Sequence, residues 1–102
     1  MSDTASYTQA CRVDASHPAL PGHFPGQPLV PGVMLLEQVA LALRAWRRQR
    51  MARVLEAKFV APLLPMQAAL VCLTAMAGGT RVRFEIQRDG MVLARGVVEG
   101  AA

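Results

Sequence analysis

Residues 33–46 form an almost unbroken apolar run inside a segment with the features of a helix. Its apolar side chains occupy nearly every face of that helix: Val33, Met34, Leu35, Leu36, Val39, Leu41, Leu43 and Trp46. A helix that is apolar all round is buried all round. Pro31 and Gly32 suit its first turn, and the segment continues to Gln49 or Arg50, a length of about 27 Å. In a chain of 102 residues, we expect such a helix to be central.

The remainder of the chain predicts strands. Five segments have short apolar or alternating patterns: 7–13, 52–62, 68–77, 80–88 and 91–100. Asp89–Gly90 is a strong hairpin signal, and Gly78–Gly79 marks a second hairpin. The order predicts an α+β fold in a single domain of residues 1–102, with an antiparallel sheet of about five strands around one helix. We expect the last four strands to form a meander. Such a sheet covers the helix on one side only, which predicts a dimer.

Composition supports an additional interface. Hydrophobic residues make up 53% of the chain and charged residues only 18%, although a small domain buries only roughly two-thirds of its unfolded surface. The excess indicates a subunit interface, or else a core rich in alanine. The net charge of +4 favours acidic partners such as a carrier protein. Nucleic acid is disfavoured, because the chain has one Lys, no basic tail and no binding motif.

The two cysteines do not indicate a metal site or a disulfide framework. Cys11 and Cys72 show no Cys-x-x-Cys or Cys/His spacing, so we expect buried free thiols. The N-terminus is polar and unlike a signal peptide. The apolar run of residues 33–43 is too short to span a bilayer and is interrupted by Glu37 and Gln38. These features predict a soluble cytoplasmic protein that acts without a membrane.

Residues 14–32 are dense in residues that fix or bend the backbone. The prolines of this segment are Pro18, Pro21, Pro25, Pro28 and Pro31. Their spacing excludes a regular helix, and long loops in compact domains are often functional. His23 lies at the centre, between Gly22 and Phe24. An isolated His is usually a surface or core residue, but a stiff backbone around it is what a catalytic base requires.

Glu37 and Gly32 complete a possible catalytic set. Glu37 lies in the second turn of the apolar helix, where an unpaired ionised carboxylate would cost several kcal/mol. It is therefore paired, protonated or beside a cavity, unless it belongs to an exposed polar stripe with Gln38. Gly32 opens the helix, where its N–H could stabilise the negative charge of a thioester oxygen. With His23 as base, the set suits removal of a proton α to a carbonyl and loss of a β-hydroxyl.

The same segment resembles the β-hydroxyacyl-[acyl-carrier-protein] dehydratases of the hotdog fold, especially the FabZ type. The residues that carry the resemblance are Gly22-His23-Phe24-Pro25-Gly26, Pro28, Pro31-Gly32-Val33 and Glu37. A weaker similarity follows, in which Lys58-Phe59 with Pro62 and Pro65 resembles the family's KFxxPxxPG segment. The resemblance implies a sheet wrapped around a central helix, with active sites at a homodimer interface.

The resemblance also implies roles. It makes His23 the base and Glu37 the second catalytic group, contributed by opposite subunits, and Gly32 the amide that binds the thioester carbonyl. The substrate would be a 3-hydroxyacyl phosphopantetheine on acyl carrier protein, with no cofactor and no metal. Because the related FabA type has Asp in place of Glu37, the Glu favours plain dehydration. The residues expected either to line an acyl tunnel or to pack the core are Phe24, Val33, Met34, Phe59 and Leu63.

Several alternatives remain open. Met66-Gln67 replaces the family's usual Gly-Asp, which puts that turn in doubt. The short chain resembles the dehydratases of aryl polyene or related pathways. Arg47 and Arg48 either dock the carrier protein or complement the helix dipole. The same fold would also allow a thioesterase, or a non-catalytic subunit that binds acyl chains or carrier protein in a hotdog heterodimer.

Overall fold

The computed structural model describes residues 5–13 and 30–102. Its elements, in chain order, are β1 (Ser6–Cys11), α1 (Gly32–Arg47), β2 (Arg50–Phe59), β3 (Ala69–Ala75), β4 (Arg81–Arg88) and β5 (Met91–Ala101). The predicted α+β order of strand, helix and four strands is confirmed. The helix is shorter than predicted, because Arg48 adopts a left-handed conformation (φ 56°) and its N–H bonds to the Arg44 carbonyl, which ends the helix.

The five strands form one antiparallel sheet in the order β1-β3-β4-β5-β2. The predicted four-stranded meander is therefore wrong. Only β3, β4 and β5 are consecutive neighbours, and β2 lies at the far edge, paired with β5. The segment between β2 and β3 crosses from one edge of the sheet towards the other. Local patterns predict strands but not their order, because the pairing of distant strands is decided by the packing of the whole sheet.

Both predicted hairpins are confirmed. Gly78 and Gly79 have positive φ angles at the β3–β4 turn. Asp89 (φ 52°) and Gly90 (φ 80°) connect β4 to β5, and positive φ at both central residues is what a type I′ turn requires. These turns fix the register of the three-stranded meander, which forms one side of the hydrophobic core.

The helix packs against one face of this sheet, and the core lies between them. Val39, Ala42 and Leu43 of α1 are completely buried, as are Phe84 and Ile86 of β4. Each large side chain buried in this way contributes roughly 1.5–3 kcal/mol.

The opposite face of α1 is not covered. Val33, Glu37 and Leu41 follow one another at intervals of four residues, and the exposed fractions of Val33 and Leu41 are 72% and 51%. The prediction that the sheet covers α1 on one side only is therefore confirmed, and the burial of the other face by a second subunit stays a prediction. An apolar pattern predicts that a helix face is buried, but it does not indicate whether the same chain or another subunit buries it.

Strand β2 is exposed along nearly its whole length. Of its ten residues, only Met51 is partly buried. Its register against β5 shifts twice, between Met51 and Arg53 and between Val54 and Glu56. Such bulges disturb the alternation of inward and outward side chains. Strand β2 has β5 on one side, and its second edge pairs with no strand of residues 5–13 and 30–102.

The turn that the sequence put in doubt does form. Met66 occupies the position where the dehydratases usually have Gly, with φ at +69°. Its N–H bonds to the Val13 carbonyl, and Gln67 Oε1 accepts a hydrogen bond from the Leu64 N–H at 3.0 Å. The Gln67 side chain thus closes the turn without the Asp of the family pattern.

We expect Met66→Gly to raise the free energy of unfolding by about 1 kcal/mol. A non-glycine residue in the left-handed region costs roughly 1–2 kcal/mol, part of which is offset by the greater freedom of glycine in the unfolded chain. The Met66 side chain is 49% exposed, so its loss removes little packing. Urea unfolding of both proteins measures the difference. Met66→Ala is the control, since it removes the side chain but keeps the strained angle and should bring no gain.

Both cysteines are free thiols, and the predicted burial is confirmed for Cys11 but not for Cys72. Cys11 is buried, and burial raises the pKa of its thiol. Cys72 is only partly buried, and burial together with the nearby Glu85 carboxylate raises its pKa. No helix of the described residues is long and apolar enough to cross a membrane.

Candidate active site

The N-terminus of α1 presents backbone donors without partners. Pro31 is the N-cap residue with extended backbone, and no side chain caps the helix. The Met34 N–H bonds to the Pro31 carbonyl at 2.9 Å. The Gly32 N–H precedes the first position that can bond within the helix, and it has no acceptor among residues 5–13 and 30–102. The helix dipole adds positive potential at this point.

This helix end opens into an apolar groove of about 430 Å³. A hydrogen bond from the Val30 N–H to the Leu63 carbonyl, 2.9 Å long, ties the strand-like entry of the helix to the segment after β2. The residues that line the groove are Val30, Pro31, Gly32, Leu35, Phe59, Val60, Ala61, Pro62 and Leu63. The segment after β2 is held in turn by the Leu93 carbonyl, which accepts hydrogen bonds from the N–H groups of Val60 and Ala61.

The ring of Phe59 lies directly over Gly32. A Cβ atom added to Gly32 would lie 2.8 Å from Phe59 Cζ and 3.0 Å from Cε1 and Cε2. Only glycine therefore allows the ring to lie this close to the start of the helix. The ring is 48% exposed, so one of its faces covers the backbone and the rest borders the groove.

Glu37 does not face the groove of its own chain. It follows Gly32 by five residues and Leu35 by two, which turns it about 140° and 200° around the helix axis from them. Leu35 lines the groove, so the Glu37 carboxylate points away from it, on the exposed face with Val33 and Leu41. Of the two alternatives for Glu37, a buried carboxylate or an exposed one, the structure of one chain shows the exposed one.

The structure brings together some of the other predicted residues. Gly32, Phe59 and Leu63 line one groove, and Leu63 is completely buried. Met34 belongs to the core, with 4% exposure, and Val33 lies on the uncovered helix face. Neither of them lines the groove of a single chain. His23 and Phe24 lie outside the described residues.

Arg47 and Arg48 lie at the opposite end of α1, about 22 Å from Gly32 along the helix axis. The Arg47 guanidinium lies 4.0 Å from the centre of the Trp46 ring, and Trp46 stacks on Tyr7 with ring centres 6.1 Å apart. Arg47 thus contributes to packing at the end of the helix through a cation–π contact. Arg48 is exposed.

Sequence reasoning missed Val30, Leu35 and the short segment of residues 60–62 as groove residues. For Pro62, the similarity to KFxxPxxPG was an available signal. The pairing of Val30 with Leu63 had no local signal, since the two residues lie 33 positions apart in the chain. Together, the Gly32 N–H and the lining residues form a backbone hydrogen-bond donor site at one end of an apolar groove. It can hold an acyl chain and polarise a carbonyl oxygen at the Gly32 N–H.

Comparisons with known proteins identify the family and the fold. Residues 1–97 match the family model described as ApeI-like, ApeI dehydratase. The chain is similar to the 3-hydroxyacyl-[acyl-carrier-protein] dehydratase FabZ of Klebsiella pneumoniae, with 30% identity over 96 residues that cover 83% of this chain and 58% of that protein. The FabZ of Haemophilus influenzae strain PittEE is 35% identical over 63 residues, which cover 52% of this chain and 43% of that protein. The matched region thus spans about half the length of these curated relatives.

Solved structures support the fold. A chain of the dehydratase heterocomplex ApeI:P from Xenorhabdus doucetiae superposes with a TM-score of 0.82 at 20% identity, covering 98% of this chain and 90% of that one. An uncharacterized protein from Erwinia carotovora subsp. atroseptica gives a TM-score of 0.77 at 24% identity, covering 94% and 82%. The predicted hotdog fold is confirmed.

Proposed function

The chain belongs to the ApeI-like dehydratase family, and we propose that it converts (3R)-3-hydroxyacyl thioesters of acyl carrier protein to trans-2-enoyl thioesters and water. The observation that carries this proposal is the Gly32 N–H at the start of α1, which opens into an apolar groove under the Phe59 ring. A thioester carbonyl at this amide would have its acyl chain along the groove wall. We place the reaction in the cytoplasm, within a pathway of the fatty-acid or aryl polyene type.

The proposed reaction needs a base, an oxyanion site and an acid. His23 removes the α-proton, and the electron pair moves onto the carbonyl oxygen, where the Gly32 N–H and the helix dipole stabilise the charge. The electrons then return to form the α,β double bond. Glu37 donates a proton to the β-hydroxyl group, which leaves as water. No redox partner or cofactor is required.

A second subunit is part of this proposal. The Glu37 carboxylate points away from the groove of its own chain, between the exposed Val33 and Leu41. The open edge of β2 also favours pairing with another strand. Two copies related by a twofold axis would cover both features and let Glu37 of each copy reach the groove of the other. A related hotdog chain in place of the second copy is the alternative, since the similar Xenorhabdus doucetiae structure is a heterocomplex.

The direct test is turnover of a 3-hydroxyacyl thioester by the purified protein, followed by the ultraviolet absorbance of the enoyl thioester. An enoyl product supports the dehydratase. Release of free thiol without an enoyl product would instead identify a thioesterase. Activity that arises only after addition of a second hotdog chain would assign the protein as one subunit of a heterodimer.

We expect Gly32→Ala to lower kcat/KM for a 3-hydroxyacyl thioester by about 10²-fold, which is the loss typical of a damaged oxyanion site. The added Cβ atom collides with the Phe59 ring, so the ring must move into the groove or away from the helix. Because Phe59 is half exposed, the fold should tolerate this movement.

The double variant Gly32→Ala/Phe59→Ala is the matched control, because it removes the ring that collides. Circular dichroism should show both variants folded. Alanine keeps the backbone N–H, so full turnover by the single variant would mean that the thioester carbonyl does not lie against residue 32 under the Phe59 ring, and the proposed position of the oxyanion site would be wrong. Partial recovery in the double variant would assign the loss to the displaced ring.

A further inference from the structure

The C-terminal end of α1 has an unbalanced cluster of positive charge. Arg44, Arg48 and Arg50 are exposed, and none of them forms a salt bridge with a carboxylate of the described residues. We call these three residues the arginine cluster. The nearest acidic residues along the chain are Glu37 and Glu56. Arg47, in the same stretch, lies against Trp46.

A second group of arginines among the described residues is balanced by carboxylates. On the outer face of the sheet, Arg83 and Arg95 line a recess together with Glu56 and Glu85. Arg53 nearby forms a salt bridge of 3.0 Å with Glu99. Alternating charges of this kind give little net attraction for an acidic protein. The arginine cluster, which has no such carboxylates, is therefore better suited to an acidic partner than this outer face is.

Within one chain the arginine cluster lies at the C-terminal end of α1, whereas the groove lies at the N-terminal end. It is about 20 Å from Gly32 along the helix axis. Strand β2 runs back along this length, from Arg50, a member of the cluster, to Phe59 over the groove. The start of β2 therefore lies at the arginine cluster, and its end lies at the groove.

Antiparallel pairing of β2 with the β2 strand of a second copy would bring the arginine cluster of each copy close to the groove of the other. The second edge of β2 is open, and a twofold axis near the middle of the strand places the start of one β2 beside the end of the other. Arg50 of one copy then lies next to Phe59 of the second copy. The arginine cluster of each subunit flanks the groove of its partner.

We propose that an acidic acyl carrier protein docks on the arginine cluster of one subunit and delivers its thioester to the groove of the other. This inference rests on the proposed function and on pairing between two copies of the chain. Charge complementarity would mainly speed the encounter and would weaken with added salt.

The first experiment reverses three charges in every subunit. We expect Arg44→Glu/Arg48→Glu/Arg50→Glu to raise KM for the carrier-linked substrate roughly tenfold or more, with KM for a small 3-hydroxyacyl thioester unchanged. The matched control is Arg81→Glu/Arg83→Glu/Arg95→Glu on the outer face, which changes the net charge equally and should leave both KM values unchanged. An equal effect of both triple variants would overturn the docking surface.

The second experiment assigns the subunit. Copies with different tags are co-expressed, and mixed dimers are isolated by two affinity steps. One copy carries Gly32→Trp, whose indole fills its groove, so the functioning groove belongs to the other copy. Charge reversal placed on the Gly32→Trp copy should raise KM for the carrier-linked substrate, whereas reversal on the copy with the open groove should not.

The opposite asymmetry, or failure of two copies to associate, would overturn docking across the dimer. If the unmodified protein dehydrates neither the carrier-linked nor the small thioester, the proposed function fails as well. If it dehydrates both and only the charge reversals have no effect, the function stands and the docking proposal alone is wrong.

Discussion

Replacement of Glu37 by Gln should lower kcat for a 3-hydroxyacyl thioester by a factor of about 10²–10⁴, while the protein stays folded. This range is typical for removal of a group that transfers a proton in the transition state. Gln keeps the size and polarity of the side chain but cannot donate the proton that the departing hydroxyl needs. Because the Glu37 side chain is exposed within one chain, the fold of that chain does not depend on its charge.

His23→Ala should cause a loss of the same order, since the two groups act on the same elimination. Kinetics with a small thioester substrate measure both effects without involving carrier-protein docking. Glu56→Gln is the control, because Glu56 is an exposed carboxylate on the outer face of the sheet and should retain full activity. If both Glu37→Gln and His23→Ala turn over at the normal rate, the assigned roles are wrong.

The two variants also test the arrangement across subunits. A mixture of His23→Ala and Glu37→Gln chains that exchange into mixed dimers should regain up to about half of the normal activity per mixed dimer, because one of its two sites is complete. This expectation follows from the opposite-subunit assignment and from the symmetry of a dimer. If His23 and Glu37 act within one subunit, each chain of the mixture lacks one of the two groups and no activity returns.

We expect Gly96→Ala to destabilise the protein by roughly 3 kcal/mol or more. Gly96 is buried in β5, where it pairs with Phe84 of β4 on one side and with Ala57 of β2 on the other. A Cβ atom at this position would collide with the backbone carbonyl oxygen of Glu56 and would lie 2.7 Å from Phe84 Cε2. Overpacking in cores typically costs 1–3 kcal/mol, and a collision with backbone in a sheet leaves little room for relaxation.

Urea unfolding at one protein concentration measures the loss. Arg95→Ala, next in the strand and exposed, should change the free energy of unfolding by less than about 0.5 kcal/mol. A change of that small size in Gly96→Ala would mean that β2 does not approach β5 as closely as the structure shows. The bulge between Val54 and Glu56 depends on this close approach.

Much of the fold could be predicted from local signals. Pro31 and Gly32 place the start of α1 because their backbone preferences suit a first helical turn, and Asp89–Gly90 specifies a tight turn through its positive φ angles. The position of β2 could not be predicted, because its two bulges disturb the alternation and its partner β5 is distant in the chain. The uncovered face of α1 could be predicted, because one sheet covers only one side of a helix, but the apolar pattern does not identify the surface that covers the other side.

Only part of the candidate site could be predicted from the sequence. Gly32 and Phe59 could be identified from the resemblance of short motifs, and the structure places them in contact. The wall of the groove formed by Val30 and residues 60–62 arises from a hydrogen bond between distant segments, which no motif encodes. The direction of Glu37 follows from helix geometry once Leu35 is known to face the groove.

Because no strand of the described residues pairs with the second edge of β2, one chain lacks the backbone hydrogen bonds that a partner strand would supply there. Strand β2 also carries the exposed Val54, Leu55 and Phe59. An edge of this kind is a surface on which unrelated strands can also add. Correct assembly therefore competes with aggregation, and the balance between them depends on the concentration of the proper partner. If a copy and a related chain both fit this edge, their relative expression levels would determine how many complete sites a cell contains.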